Sequence, residues 1–409
     1  MAKVIFPCID ERHMGANAGF CKRLSRLLAL ASERLSPHLP IVAAFTRSCR
    51  PERPQMANEQ AASSSDTTLR RTAAAFARPT TWRSILQLVT SFGPFLAGCV
   101  AMYLAYPASP LLALALSLPT GVLLVRIFIV QHDCGHGSFF ASPLANTATG
   151  RLCSLITFTP YANWGRQHAA HHANWNNLDR QSAGSDIYSA CLTVREYLAL
   201  TPWRRFLYRL PRHPLIANLL LPPLVFLLLY RVPFDTPPGW TRERRSVWLT
   251  DLALVALFGS LVTLFGWREV LLIHLPIMVV ASILGVWLFS LQHRFETSRW
   301  LGHGAWSFVE AALEGSSYFQ LPRALHWLTG NIGFHHVHHL NPRVPNYRLS
   351  ACHDAVQALR PVRSLSLRGG LGAPRLTLWD EERRRLVRFA DVVVQFGTPR
   401  SLDAPAPGV

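Results

Sequence analysis

PLLALALSLPTGVLLVRIFIVQHDCGH, residues 110–136, is the stretch whose reading decides the fold. Residues 110–130 carry a single charge, Arg126. They are long enough to cross a hydrocarbon core, which takes about 20 residues of helix. The apolar run stops at Gln131, and two histidines follow four residues apart in His132-Asp133-Cys134-Gly135-His136. On a helix, positions i and i+4 share a face, so H-x-x-x-H aims two imidazoles at one point. An apolar span that ends in paired ligand-type side chains predicts a polar site at a membrane surface.

The same pattern extends on both sides. Residues 85–106, 249–266 and 270–291 are three further apolar runs of spanning length. Residues 152–162 are too short to cross. Residues 215–230 are about 16 in number and carry Pro222-Pro223 in their middle, and paired prolines break a helix. Both short stretches are therefore expected to be interfacial or re-entrant. Charge agrees with this count. The segment before the first run is basic, as are the long stretch 131–248, with Arg204, Arg205, Arg242, Arg244 and Arg245, and everything after Gln292. The links at Tyr106-Pro107 and Arg268-Glu269 are neutral. Four spans put every basic segment on one face. The expectation is an all-α integral membrane fold: four transmembrane helices in two hairpins, both termini cytoplasmic, and a cytoplasmic helical cap carrying the histidines.

Composition supports a membrane protein. Of 409 residues, half are apolar and 16% are charged, against about 25% in an average globular domain. The net charge of +18 comes from Lys and Arg scattered among apolar runs. They read as topology signals and headgroup contacts, and no nucleic-acid-binding motif accompanies them. The eight cysteines form no C-x-x-C pair, so nothing suggests a zinc knuckle or a disulfide framework. Residues 1–75 are expected to be a flexible basic extension, residues 76–358 the membrane domain and residues 359–409 a cytoplasmic tail. Residues 1–50 lack the apolar core and small-residue site of a cleavable signal peptide. Residues 57–75 are rich in Ala, Ser and Thr and read as disordered. Met56 begins a stretch that reads as an ordinary start, so residues 1–55 are expected to be dispensable. Within the tail, residues 379–396 are expected to form an amphipathic helix.

Of 17 histidines, most are grouped. Beyond the first cluster come His168-Ala169-Ala170-His171-His172 and His335-His336-Val337-His338-His339. Each H-x-x-H-H is expected to aim three rings at one point. The eight candidate ligands are His132, His136, His168, His171, His172, His335, His338 and His339. Eight imidazoles exceed what one ion takes and suit two transition metals of five or six ligands each. Imidazole binds zinc, copper, iron and nickel alike, so spacing does not name the metal; a redox role selects iron or copper. Neutral ligands leave the ions' charge uncompensated, so carboxylates that accept His N–H groups should matter: Asp133, Asp186, Glu310 and Asp354. His336 lies off the ligand spacing. His213, His274, His303, His326 and His353 stand alone and read as ordinary polar residues.

Three longer strings, HDCGHGSFF (132–140), HAAHHANWNN (168–177) and GNIGFHHVHHLNPRVPNY (330–347), resemble the membrane fatty-acid desaturases. They are most similar to the acyl-lipid Δ12 (omega-6) type, and the likeness runs over roughly residues 84–358. The resemblance implies a non-haem centre of two iron ions in the three histidine boxes. It implies a ninth ligand before the third box, a place that His293 matches, and O₂-dependent insertion of a cis double bond into a membrane lipid's acyl chain. Asn331 and Asn174 become candidates for orienting a ligand or a bound water. Arg126 either snorkels to the interface or faces the substrate channel. The chain has no Cys₄ iron–sulfur spacing and no G-x-G-x-x-G. A ferredoxin or cytochrome b5 type donor is therefore expected to dock on the basic face. The expected compartment is a bacterial inner membrane. A fatty acyl hydroxylase or other lipid oxygenase is the alternative on the same scaffold. A metal transporter is a remote one, because the histidines lie outside the spans.

Overall fold

The computed structural model describes residues 65–180, 190–302 and 304–396, with side chains up to Val392. Asp186 and His303 lie outside the described residues. The described residues from Leu69 onward belong to one compact unit, which holds the elements below.

Among the described residues, four helices are long and apolar enough to cross a membrane: α1 (Thr81–Ala105), α2 (Pro110–Gly135), α6 (Thr241–Phe265) and α7 (Trp267–His293). Between α2 and α6 lie α3 (Pro143–Thr157), α4 (Tyr161–Asn174) and α5 (Leu221–Leu227). After α7 come α8 (Phe308–Gly315), α9 (His335–Leu340) and α10 (Leu349–Gln357). The start of α2 follows from its residues. Ser109 accepts from the Leu112 N–H at 3.2 Å and Pro110 occupies the first turn, where its missing N–H is not needed. α2 is the central helix, packed against α1, α3 and α7. Gly121 makes the last contact possible: a Cβ there would lie 2.6 Å from Val280 Cγ1, and small residues let membrane helices approach this closely. Many large apolar side chains on the spans are exposed, among them Leu104, Leu111, Val255 and Leu264, as expected of surfaces that face lipid.

Three expectations change against the structure. The double proline does not split its stretch. Ile216–Leu220 forms a wide π-helical turn, and Pro222 and Pro223 fall in the first turn of α5, where proline is tolerated. This segment, with Pro202–Arg212 before it, forms a pair bent by 49° that is either a broken span or a re-entrant loop. Secondly, residues 65–74 of the expected disordered stretch are helical, with Leu69 and Ala73 buried four residues apart. Thirdly, residues 379–396 are not one helix. β4 (Leu378–Asp380) and β5 (Arg385–Val387) pair antiparallel, and only Phe389–Phe396 is helical. The apolar pairs Leu378-Trp379 and Leu386-Val387 are buried on either side of a charged turn. β4 also runs parallel to β1 (Leu192–Thr193), and β2 (Tyr318–Phe319) runs parallel to β3 (Ser364–Leu365). Two small sheets thus join residues 364–387 to a fold that is otherwise helical.

Candidate metal centre

The first histidine cluster ends α2, the second fills the last two turns of α4, and the third is α9 itself. α4 is set against α2 by Tyr161, whose hydroxyl donates to the Cys134 carbonyl at 2.7 Å. α9 rests on α8 and α10 through a small core of Val309, Ala312, Leu313, Val337, Leu340 and Cys352. The chain path brings all three clusters and the end of α7 together.

The nine histidines form two groups. His132, His136, His168, His172 and His338 make one, and His171, His293, His335 and His339 make the other; within each, the nitrogens that face one another lie within 4.8 Å. The expectation that each H-x-x-H-H aims three rings at one point is therefore corrected. The i and i+4 members stay together and the i+3 member crosses to the other group. Helical geometry gives the reason: at about 100° per residue, i+3 and i+4 point about 100° apart. His168 and His172 face the first group while His171 faces the second. His335 and His339 face the second while His338 faces the first.

The donor set fits metal ions. Within the first group, the Nε2 atoms of His168 and His172 are 3.1 Å apart and those of His172 and His338 are 3.0 Å apart. Within the second, His293 Nε2 is 3.0 Å from His171 Nε2 and 2.9 Å from His335 Nε2. Two nitrogens bound at ~2.1 Å to one ion at right angles would be about 3.0 Å apart. The Nε2 atoms of His132, His136 and His339 are buried with no hydrogen-bond partner among the described residues, a costly state unless a cation takes the lone pair. Burial first, and then the neighbouring histidines, hold the rings of His136, His168, His172, His335, His338 and His339 well below the usual histidine range. The rings are thus neutral, as ligation requires.

Among the other candidates, Asp133 is buried with Oδ1 3.3 Å from His132 Nδ1. Asn331 acts at one remove, donating from Nδ2 to the Asn346 carbonyl at 3.1 Å. Asn174 donates to the Ala170 carbonyl of its own helix. Glu310 faces Arg299 at 3.8 Å, and Asp354 acts electrostatically on His353. The Arg126 guanidinium lies 4.1 Å over the Trp327 ring and donates to the Trp327 carbonyl. His336 sits outside both groups, 3.0 Å from His353 Nδ1.

Sequence reasoning missed the aromatic walls. Trp164 stacks on His168, Trp175 covers His293 with ring centres 3.9 Å apart, and Phe289 lies against His171 and His293. A signal was present for two of them: Trp164 and Trp175 each stand four residues from a cluster histidine, His168 and His171, whereas Phe289 stands four from the isolated His293. Asn346 was also missed, and its place in the loop after α9 offered no such spacing.

A cavity of about 390 Å³ leads to the histidines. Its walls are apolar, with Leu124, Val125 and Phe128 from α2, Met278 and Ala281 from α7, and Phe226 from α5. At its polar end stand His132 and His168 of the first group and His171 and His335 of the second.

The family model described as fatty acid desaturase matches residues 104–369, a span that holds all nine histidines. A fatty acid desaturase of Bacillus subtilis is 43% identical over 316 residues, covering 77% of this chain and 88% of that protein. The sn-1 acyl-lipid omega-3 desaturase (ferredoxin) of Synechocystis is 28% identical over 264 residues, 59% of this chain and 66% of the relative. The acyl-lipid omega-3 desaturase (cytochrome b5) of Arabidopsis thaliana is 28% identical over 257 residues, with 59% and 62% covered. With buried histidines converging at the end of an apolar cavity, and a match that spans every one of them, this chain belongs to the fatty acid desaturase family.

Proposed function

We propose that the chain desaturates the acyl chain of a membrane lipid, using O₂ and a pair of iron ions held by the nine histidines. The observation that carries this reading is that one apolar cavity ends at histidines of both groups. When bound, the iron pair would supply redox chemistry in which O₂ takes up four electrons, two with the two hydrogens of a –CH₂–CH₂– unit and two from an external donor with two protons from water, leaving a cis double bond and two waters. His132, His136, His168, His172 and His338 hold one ion, and His171, His293, His335 and His339 hold the other. Burial keeps the rings of His136, His168, His172, His335, His338 and His339 neutral, so their lone pairs stay available to the ions. Trp164, Trp175 and Phe289 exclude water from the ligands. The apolar walls on α2 and α7 hold the hydrocarbon by shape and dispersion contacts, because a lipid tail leaves a medium as apolar as the cavity. They fix which methylenes lie beside the histidines.

Δ12 is the position that the box strings favour. The Synechocystis and Arabidopsis relatives have omega-3 in their names, so the test has to separate the two. Those names also give ferredoxin and cytochrome b5, and we take a small one-electron carrier of that kind as the donor, meeting the basic side of a bacterial inner membrane protein. The test is the fatty-acid profile of a host that lacks polyunsaturated lipids and expresses the full chain. A new Δ12 double bond is expected, absent when a box histidine is replaced. An omega-3 product alone would move the position. A hydroxy acid as the sole product would replace desaturation by hydroxylation.

A further inference from the structure

We infer that Arg231 and Asp251 form a clasp that holds the bent segment Ile216–Arg231 as a fixed wall of the acyl cavity, which makes Arg231 a positioning residue for the register of the bound chain. This rests on reading the cavity as the acyl site of a desaturase and adds what keeps one side of it in place. Residues 213–230 and 246–265 together hold a single Asp, Glu, Lys or Arg, which is Asp251 in α6. A charge inside such an apolar run is costly and pairs with another. Its partner stands at the end of the bent segment. Arg231 Nη1 donates to Asp251 Oδ1 at 2.6 Å, and the two side chains are 22% and 21% exposed. The other arm of the guanidinium, Nη2, donates to the Phe158 carbonyl. Phe158 ends α3 in the left-handed region, with φ 56°. Carbonyls at a helix end lack partners within the helix, and Arg231 supplies one. A single planar fork thus ties the segment to α6 and to the end of α3 at once.

The residues next to the clasp line the cavity. Leu229 and Tyr230 precede Arg231, Thr157 precedes Phe158, and all three are in the cavity wall. From there the segment runs back along the cavity, and Phe226 meets the Phe128 ring of α2 with centres 6.2 Å apart. The wall is one helix thick: Leu224 and Leu228 line the cavity and are still 46% and 60% exposed. In a bilayer, lipid tails give no hydrophobic drive that would press such a wall against α2 and α7. Directional polar ties therefore matter more for its placement. A second tie, from Gln167 Nε2 to Asp235 Oδ2 at 2.6 Å, joins the loop after Arg231 to α4 beside His168. The histidines stand on α2, α4, α7 and α9, so a wall that shifts moves the hydrocarbon past them and changes which methylenes they meet.

The experiment uses the full-length chain in a host that lacks polyunsaturated lipids and has two readouts. One is amide hydrogen exchange of the purified protein in detergent, and the other is the position of the double bonds in the host's lipids. In Arg231→Met and in Asp251→Asn, exchange over residues 216–231 should quicken about tenfold, as losing a hydrogen bond between charged groups implies. Exchange in α2 and α7 and the metal content should stay at the wild-type level. Positional isomers that wild type does not make should appear among the products. Arg231→Lys keeps the charge without the fork and should fall between. If Arg231→Met does not fold, Asp251→Asn decides, since it leaves the tie to Phe158 in place. Unchanged exchange in the variants overturns the clasp. Faster exchange with an unshifted double bond overturns the positioning role, because the pair would then serve stability alone. A wild type that makes no double bond sinks the desaturase reading and this inference with it, and the exchange data keep that failure distinct from failure of the clasp.

Discussion

The five-histidine and four-histidine groups are built from the same side chain and differ in what stands behind it. The first gathers the end of α2, two rings of α4 and one of α9, and a buried carboxylate backs one of its members. The second gathers the end of α7, one ring of α4 and two of α9, and its setting is aromatic: Trp175 on His293 and Phe289 on His171. α4 and α9 serve both groups at once, because neighbouring residues on a helix point in different directions. A pair of sites can therefore share ligand chemistry and supporting helices and still sit among different neighbours.

The largest effect should come from removing a ligand. His338→Ala takes one ring from the first group and should lower desaturation at least a hundredfold, more than an outer-shell loss costs. Membrane insertion, checked by fractionation, should be intact. Metal removal tests both groups together. A chelator should abolish activity and lower the melting temperature, since an ion bound only to the folded state stabilises it. The metal-free protein should then be acid-sensitive. Burial and neighbouring rings depress the folded-state protonation of His136, His168, His172, His335, His338 and His339. The unfolded chain, with histidines near ~6.5, binds more protons as pH falls. Stability should be full above about pH 6.5 and fall progressively below it, as read by thermal unfolding across a pH series.

A smaller effect separates cavity from metal. Gly285 lines the cavity and has open space where a Cβ would sit. Gly285→Leu should cut activity roughly tenfold by filling the acyl path, while helix propensity gains up to about 1 kcal/mol and metal content stays at the wild-type level. Loss of metal there would join cavity and ligands more closely than described. Gly150→Ala acts from below, because a Cβ would meet the Tyr161 ring at 2.2 Å. A cost of about 1–3 kcal/mol is expected, with both groups weakened alike because α4 feeds both. Smallest of all, His213→Ala should change stability by about 0.5 kcal/mol or less, since His213 is exposed and outside both groups.

The spans and the clusters were legible because each depends on a local period: about twenty apolar residues for a crossing, and spacings of three and four for a helical face. His293 came only through family resemblance; its own surroundings in the sequence give no second histidine nearby. What stayed hidden depends on contacts between distant segments. Asn346 meets Asp133 across 213 residues, and no pattern around either announces the other. The split of each H-x-x-H-H was readable in principle, since i+3 and i+4 diverge, but only the other clusters' positions show that a second point exists. The hairpin at 378–387 was misread as helix because its apolar pairs, separated by a charged turn, also satisfy a helical period.

The most direct test is to locate the metals. Anomalous scattering from crystals of the full chain, with metal content measured on the same preparation, should show two iron ions: one among His132, His136, His168, His172 and His338, the other among His171, His293, His335 and His339. A single ion, or ions placed away from these rings in an active preparation, would contradict the two-site centre on which everything else is built.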